Sequence, residues 1–208
     1  MQPKFCSCYL LITFACGPLA HACHLSSDLC SHPRACRDSV PQQNVLQATN
    51  ANPLPLLVRH AIALLPFIEN RQLVILPRAS GVSTYLVSWG YSRKTALETV
   101  NEVAPLVEFT IDHHFPIFIN AGSSHYRRIL ESWEHGKSHD EAARVLASDI
   151  YHEYRHAACG EEELEALAAQ ISLLKRWRAE GLLRIADPYI SSKELEHRSL
   201  AKRPVKSR

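Results

Sequence analysis

The sequence predicts an α+β fold in which a small mixed sheet packs on a helix carrying His152-Glu153-Tyr154-Arg155-His156, with an antiparallel helix after it. Three observations lead there. Two short β-branched and aromatic runs, Val107 to Ile111 and Pro116 to Asn120, sit close together. Apolar residues recur at helical spacing from Ala142 through Ile150, and a second helical pattern starts just past Gly160.

The chain has 208 residues, enough for one domain with a proper core and too few for two large ones. Apolar residues make up 46% and charged residues 21%, a globular balance. A net charge of +2, with Lys and Arg spread along the chain except in a run from Lys193 to Arg208, argues against a nucleic-acid partner.

The front of the chain differs from the rest. A weakly positive start at Met1 to Lys4, an apolar stretch from Phe5 to Leu19 and small residues at Ala20 and Ala22 read as a signal peptide over residues 1–22. Export, to a periplasmic or extracellular compartment, follows as an expectation. The stretch is too short for a stable transmembrane helix, and no later segment is apolar enough to be one. Six of the seven cysteines fall before residue 37, and Cys159 is the seventh. In an exported chain Cys23, Cys30, Cys36 and Cys159 are candidates for disulfides, whose pairing stays open. Residues 23–55, rich in Ser, Pro, Asn, Gln and Cys, read as a linker or arm, residues 56–190 as the domain, and residues 191–208 as a basic tail.

Within the domain, Leu56 to Ile68 reads as a helix ending near Pro66, and Gln72 to Pro77 as a strand. Val82 to Trp89 has a strand-like pattern, and Ser92 caps a helix to Val103. The two β-type runs then form a hairpin or neighbouring strands around Asp112-His113-His114. A helix from about Tyr126 to Glu134 precedes Gly136, and Ser138 with Glu141 makes a capping box for the helix that reaches Ala158.

His152 and His156 stand one turn apart on that helix, the spacing at which two imidazoles meet one tetrahedral ion, expected to be zinc (Zn2+). Glu153 lies beside them, badly placed as a third ligand but suited to take a proton from a metal-activated water as general base. The alternative is a solvated helix face carrying His, Glu and Arg, and Arg155 between the histidines favours it.

A hydrolytic zinc site has three protein ligands and one open position. The helix after Gly160 opens with Glu161, Glu162, Glu163 and Glu165 and carries an expected core stripe of Leu164, Leu167, Ala168, Ile171 and Leu174. Glu163 flanks that stripe and is the first choice, with Glu161 or Glu162 next. Acids in a first helical turn also simply complement the helix dipole.

These residues, Tyr151-His152-Glu153-Tyr154-Arg155-His156-Ala157 followed by Glu163-Leu164-Glu165-Ala166 and a helix ending in Leu173-Leu174-Lys175-Arg176-Trp177, resemble bacterial zincin-like metallopeptidases of the gluzincin type. The likeness spans roughly Phe115 to Leu183. In that family HExxH is followed by a glutamate three residues before an alanine, which Glu163 and Ala166 match. The resemblance implies a zincin-like fold, zinc bound by His152, His156 and Glu163, and hydrolysis of peptide or protein substrates. It also implies a strand beside the helix that aligns the substrate, for which Pro116 to Asn120 is the candidate. The gap from His156 to Glu163 is shorter than in the best-known gluzincins. An oxyanion donor could be His125, Tyr126, Tyr154 or Tyr189, none singled out by spacing. A secreted, non-catalytic zinc-binding or scaffold protein is the competing function.

Overall fold

The computed structural model describes residues 54–202, apart from 70, 71, 112, 113, 137, 138, 185 and 186. The predicted signal peptide, most of the arm and the end of the tail lie outside the described residues, as does Ser138 of the predicted capping box. The order of elements is α1 (Leu56–Ala63), β1 (Leu73–Leu76), a 3-10 turn (Ala79–Gly81), α2 (Val82–Ser88), α3 (Arg93–Val103), β2 (Glu108–Ile111) and β3 (His114–Asn120). There follow α4 (Ser124–His135), α5 (His139–Tyr154), a π-helical turn (Arg155–Cys159), α6 (Glu163–Ala179) and α7 (Asp187–Ala201). This is an α+β fold with a small mixed sheet. Among the described residues no helix is long and apolar enough to cross a membrane.

The sheet has the order β1-β3-β2. β1 runs parallel to β3, with Leu73 opposite Ile117 and Leu76 opposite Asn120; β2 runs antiparallel to it, with Glu108 opposite Ile119 and Phe109 opposite Phe118. Alternation along the strands sends side chains to two layers. Leu73, Ile117 and Ile119 enter the larger core with Leu57, Ile62, Ile129, Leu146 and Ile150 of α1, α4 and α5. Val74, Leu76, Phe109 and Phe118 enter a second core with Tyr85, Leu86, Ala96 and Val103 of α2 and α3. Phe118, with no exposed surface, stacks on Phe109 at 5.3 Å and meets Tyr85 edge-on at 5.2 Å. Such pairs add about 0.5–1.5 kcal/mol each beyond the area they bury.

Four expectations change. Val82–Ser88 is a helix, because Val82, Tyr85 and Leu86 are buried at helical spacing while Thr84 and Val87 face solvent. The β-branched residues that suggested a strand yield to packing on the second core. Pro116 to Asn120 lies in β3, the central strand, whose neighbours β1 and β2 occupy both edges. It therefore cannot take a further strand; β2 is the edge strand on that side. On α6, Leu164 and Ala168 are exposed, and the buried face is Ala166, Leu167, Gln170, Ile171, Leu173, Leu174 and Trp177. Finally, α7 runs across the expected boundary between residues 190 and 191, and Lys175 of α6 pairs with its Glu194 at 2.6 Å.

Two cross-contacts define how α5 and α6 meet. Glu163 of α6 reaches His156, and seven residues later Gln170 reaches Asp149, seven residues earlier on the opposing segment. Rising numbers on one side meet falling numbers on the other, so the pair is antiparallel.

Candidate metal centre

The helix carrying the histidines does not end as a plain α-helix. After Tyr154 it widens into the π-helical turn, where one more residue is held per hydrogen-bonded loop, a feature frequent at functional sites. Gly160 then adopts the left-handed conformation at φ 62°, which a side chain disfavours, and its N–H donates to the His156 carbonyl at 3.0 Å. Chain reversal is complete within two more residues, since Glu162 is the N-cap of α6 and forms a reciprocal capping box with Glu165. A connection this short brings Glu163 to the histidines.

His152 and His156 are 7% and 6% exposed, and their Nε2 atoms lie 3.0 Å apart. The Glu163 carboxylate straddles them, with Oε2 3.2 Å from Nε2 of His156 and Oε1 3.4 Å from Nε2 of His152. Neighbouring ligands on a tetrahedral ion with bonds of about 2.0–2.1 Å stand about 3.4 Å apart, so the three donors sit at nearly that separation. They are the group among the described residues whose ligand atoms gather closely enough to hold a metal. Two imidazoles and a carboxylate suit zinc and leave one position open. Glu163 is the most exposed of the three, its side chain half open to solvent.

Glu153 has its Oε1 4.0 Å from Nε2 of His152, while its Oε2 accepts a 3.0 Å hydrogen bond from Thr110 Oγ1 on β2. The carboxylate is thus held by the edge strand and remains outside the ligand triangle. Thr110 was not among the expected site residues. Its signal lies in the alternation of β2, where Glu108 and Thr110 form the polar side opposite Phe109 and Ile111.

Charge follows this geometry. Hydrogen bonds from His152 and His156 hold the Glu163 carboxyl far below the usual range, against the opposing effect of its burial. Burial draws His156 downward, but the Glu163 hydrogen bond, the Glu153 charge and the Glu161 carbonyl outweigh it and raise its pKa. Glu108 is pushed well up, by burial first and then by the negative charges of Asp149 and Glu153.

The other predicted glutamates divide cleanly. Glu162 and Glu165 serve the helix cap. Glu161 is buried and faces Arg155, which donates from Nε to Oε2 at 2.8 Å and from Nη2 to Oε1. Arg155, 6% exposed, is therefore an interior residue with its own acid. Glu141 accepts from the Arg184 backbone N–H at 2.6 Å. Cys159, at the end of the π turn, is buried and disulfide-bonded; the other six cysteines lie before residue 37, outside the described residues.

The four expected oxyanion donors make their contacts elsewhere in the fold. Tyr126 lies in the main core, Tyr154 packs on Phe67 and Phe115, and His125 and Tyr189 both meet Asp149. A cavity of about 580 Å³ opens between α4, α5 and α7, lined by His125, Arg128, Tyr189 and Lys193 among others, with no lining from His152, Glu153, His156 or Glu163. No protein family, no curated protein and no solved structure matches the chain.

Proposed function

We propose that this chain is a zinc-dependent peptidase with a zincin-like site, in which His152, His156 and Glu163 hold the ion and Glu153 is the general base. The observation that carries the reading is the convergence of two Nε2 atoms and one carboxylate at separations of 3.0 to 3.4 Å, with Glu153 at the rim. A zinc ion held by His152, His156 and Glu163 would supply Lewis acidity, which lowers the pKa of water toward neutrality. The chain's own residues do the rest. Glu153, steadied at Oε2 by Thr110, keeps Oε1 on the side of the histidines, where it can accept a proton and later deliver it to the leaving amine. The edge strand β2, which carries Thr110, is the segment along which an extended peptide would lie, pairing with backbone groups that β3 leaves free.

Three protein ligands favour the catalytic reading over a structural zinc site, which closes the ion with four. Export of the chain remains part of this proposal and rests on the N-terminal segment alone. The test combines metal analysis with one substitution. Purified protein should carry or take up about one zinc per chain, and Glu153→Gln should keep that zinc while peptidase activity falls by roughly 10²–10⁴-fold. Protein that takes up no zinc on dialysis ends the proposal, and full activity in Glu153→Gln removes the base assignment.

A further inference from the structure

We propose that Arg155 is a positioning residue for His156, acting through Glu161 to fix which imidazole nitrogen is free to bind metal. The Nδ1 atom of His156 lies 2.7 Å from the backbone carbonyl oxygen of Glu161. A carbonyl oxygen can only accept, so this contact requires the hydrogen on Nδ1. In the neutral ring the lone pair is then on Nε2, the atom facing His152 and Glu163.

The carbonyl has to be held for this to work, and Arg155 holds it. The Glu161 side chain is gripped by two parallel bonds from the guanidinium, and its backbone N–H points at the Arg155 carbonyl at 3.4 Å. Arg155 is itself braced: Nη1 donates to Tyr151 Oη at 3.4 Å, and the guanidinium carbon lies 5.9 Å from the centre of the Tyr151 ring. Both charges are buried, at 6% and 7% exposure. Burying an ion pair is weak evidence for stability, because desolvation offsets much of the attraction, and an apolar pair of similar volume is often as stable. What the pair does supply is direction. Residue 161 lies just past the left-handed Gly160 and just before the N-cap of α6, where the backbone could otherwise rotate. The planar, bidentate fork fixes that residue, which lysine with its single point charge would not do.

This inference rests on the zinc-site reading for its consequence in binding, but the tautomer can be measured without metal. In metal-free Glu163→Ala protein with 15N-labelled histidine, where no carboxylate competes for a hydrogen on Nε2, long-range 1H–15N spectra at a pH where the ring is neutral should show His156 with its hydrogen on Nδ1. The paired replacement Arg155→Met with Glu161→Leu leaves no buried charge unpartnered and should keep the fold. Added to Glu163→Ala it should turn the His156 signals into a mixture of tautomers, and on its own it should weaken zinc binding about 10–100-fold, the usual effect of losing a residue that orients a ligand. Arg155→Lys, which keeps the charge but not the fork, should move both readouts in the same direction, and serves if the double variant does not fold. A Glu163→Ala spectrum with the hydrogen on Nε2, or Arg155 variants with unchanged tautomer and zinc affinity, would overturn the inference. Protein that takes up no zinc with Glu163 in place, but has the Nδ1–H tautomer in Glu163→Ala and loses it in the Arg155 variants, would instead sink the metal reading and leave the positioning role intact.

Discussion

Thr110 donates its hydroxyl to Glu153 Oε2 across the gap between the edge strand and α5, a 3.0 Å bond between residues 43 apart in the chain. Removing the hydroxyl while keeping the branched shape isolates its contribution. Thr110→Val should lower kcat/KM by roughly 10-fold or more, since hydrogen bonds to charged groups contribute about 1.5–3 kcal/mol. Zinc content should stay at the wild-type value. Kinetics with a fluorogenic peptide alongside metal analysis would show both, and a fall in zinc would instead place Thr110 with the ligands.

The four acids after Gly160 have separable roles. Glu163→Ala should weaken zinc binding by more than the roughly 10–100-fold typical of outer-shell changes. Glu162→Ala should leave zinc binding unchanged and cost about 1 kcal/mol of stability through loss of the cap. Titrating each protein with zinc against a competing chelator, and unfolding each in urea, would separate the two effects. Equal zinc affinity for Glu163→Ala and the wild type would rule out Glu163 as a ligand.

Asp149 is 2% exposed and accepts hydrogen bonds from Gln170 at 2.7 Å and from the Tyr189 hydroxyl. Tyr189→Phe removes one donor from a buried carboxylate. It should destabilise the protein by about 1–3 kcal/mol, read as a lower urea midpoint, with zinc affinity unaltered. A change in zinc affinity without a change in midpoint would contradict this division of roles.

Glu108 supplies a pH dependence with a definite sign. Burial, Asp149 and Glu153 raise its pKa in the folded protein, while the nearby Lys193 partly opposes them. The folded state therefore keeps a proton that the unfolded chain releases near its ordinary pKa of about 4.3. Stability from this residue is fully present below that pH and is lost as pH rises through the folded-state value. Glu108→Gln should match the wild type in acid and exceed it by about 1 kcal/mol or more at neutral pH, on the scale of one pKa unit. Urea unfolding of metal-free protein at several pH values would show the two curves parting, and curves that stay parallel would contradict the assignment.

Most of the helices and both strands of the hairpin were legible because their apolar periods, caps and stops are local. Ser92 caps α3 by accepting from Thr95 N–H, as the sequence suggests. What failed is what packing decides. Val82 to Ser88 carries β-branched residues but is helical because it covers the second face of the sheet. The buried face of α6 is rotated from the expected stripe because it includes a polar member, Gln170, whose amide meets a buried acid that only the fold brings near. Arg155 weighed against a metal site in the sequence, since its partner Glu161 lies across a reversal that spacing does not reveal. The same reversal explains the short step to Glu163: a π turn and a left-handed glycine shorten the path.

The contact between Gln170 and Asp149 reaches beyond its own neighbourhood. It lies seven residues from Glu163 on one helix and seven from His156 on the other segment, so the two contacts are rungs of one ladder. If α6 slid by a single turn, about 5.4 Å, the lower rung would strand a buried carboxylate at the moment the upper rung carried Glu163 away from the histidines. The helix pair thus works like a ratchet with a single notch. A half-exposed side chain at the rim inherits its placement from a polar contact deep in the interior.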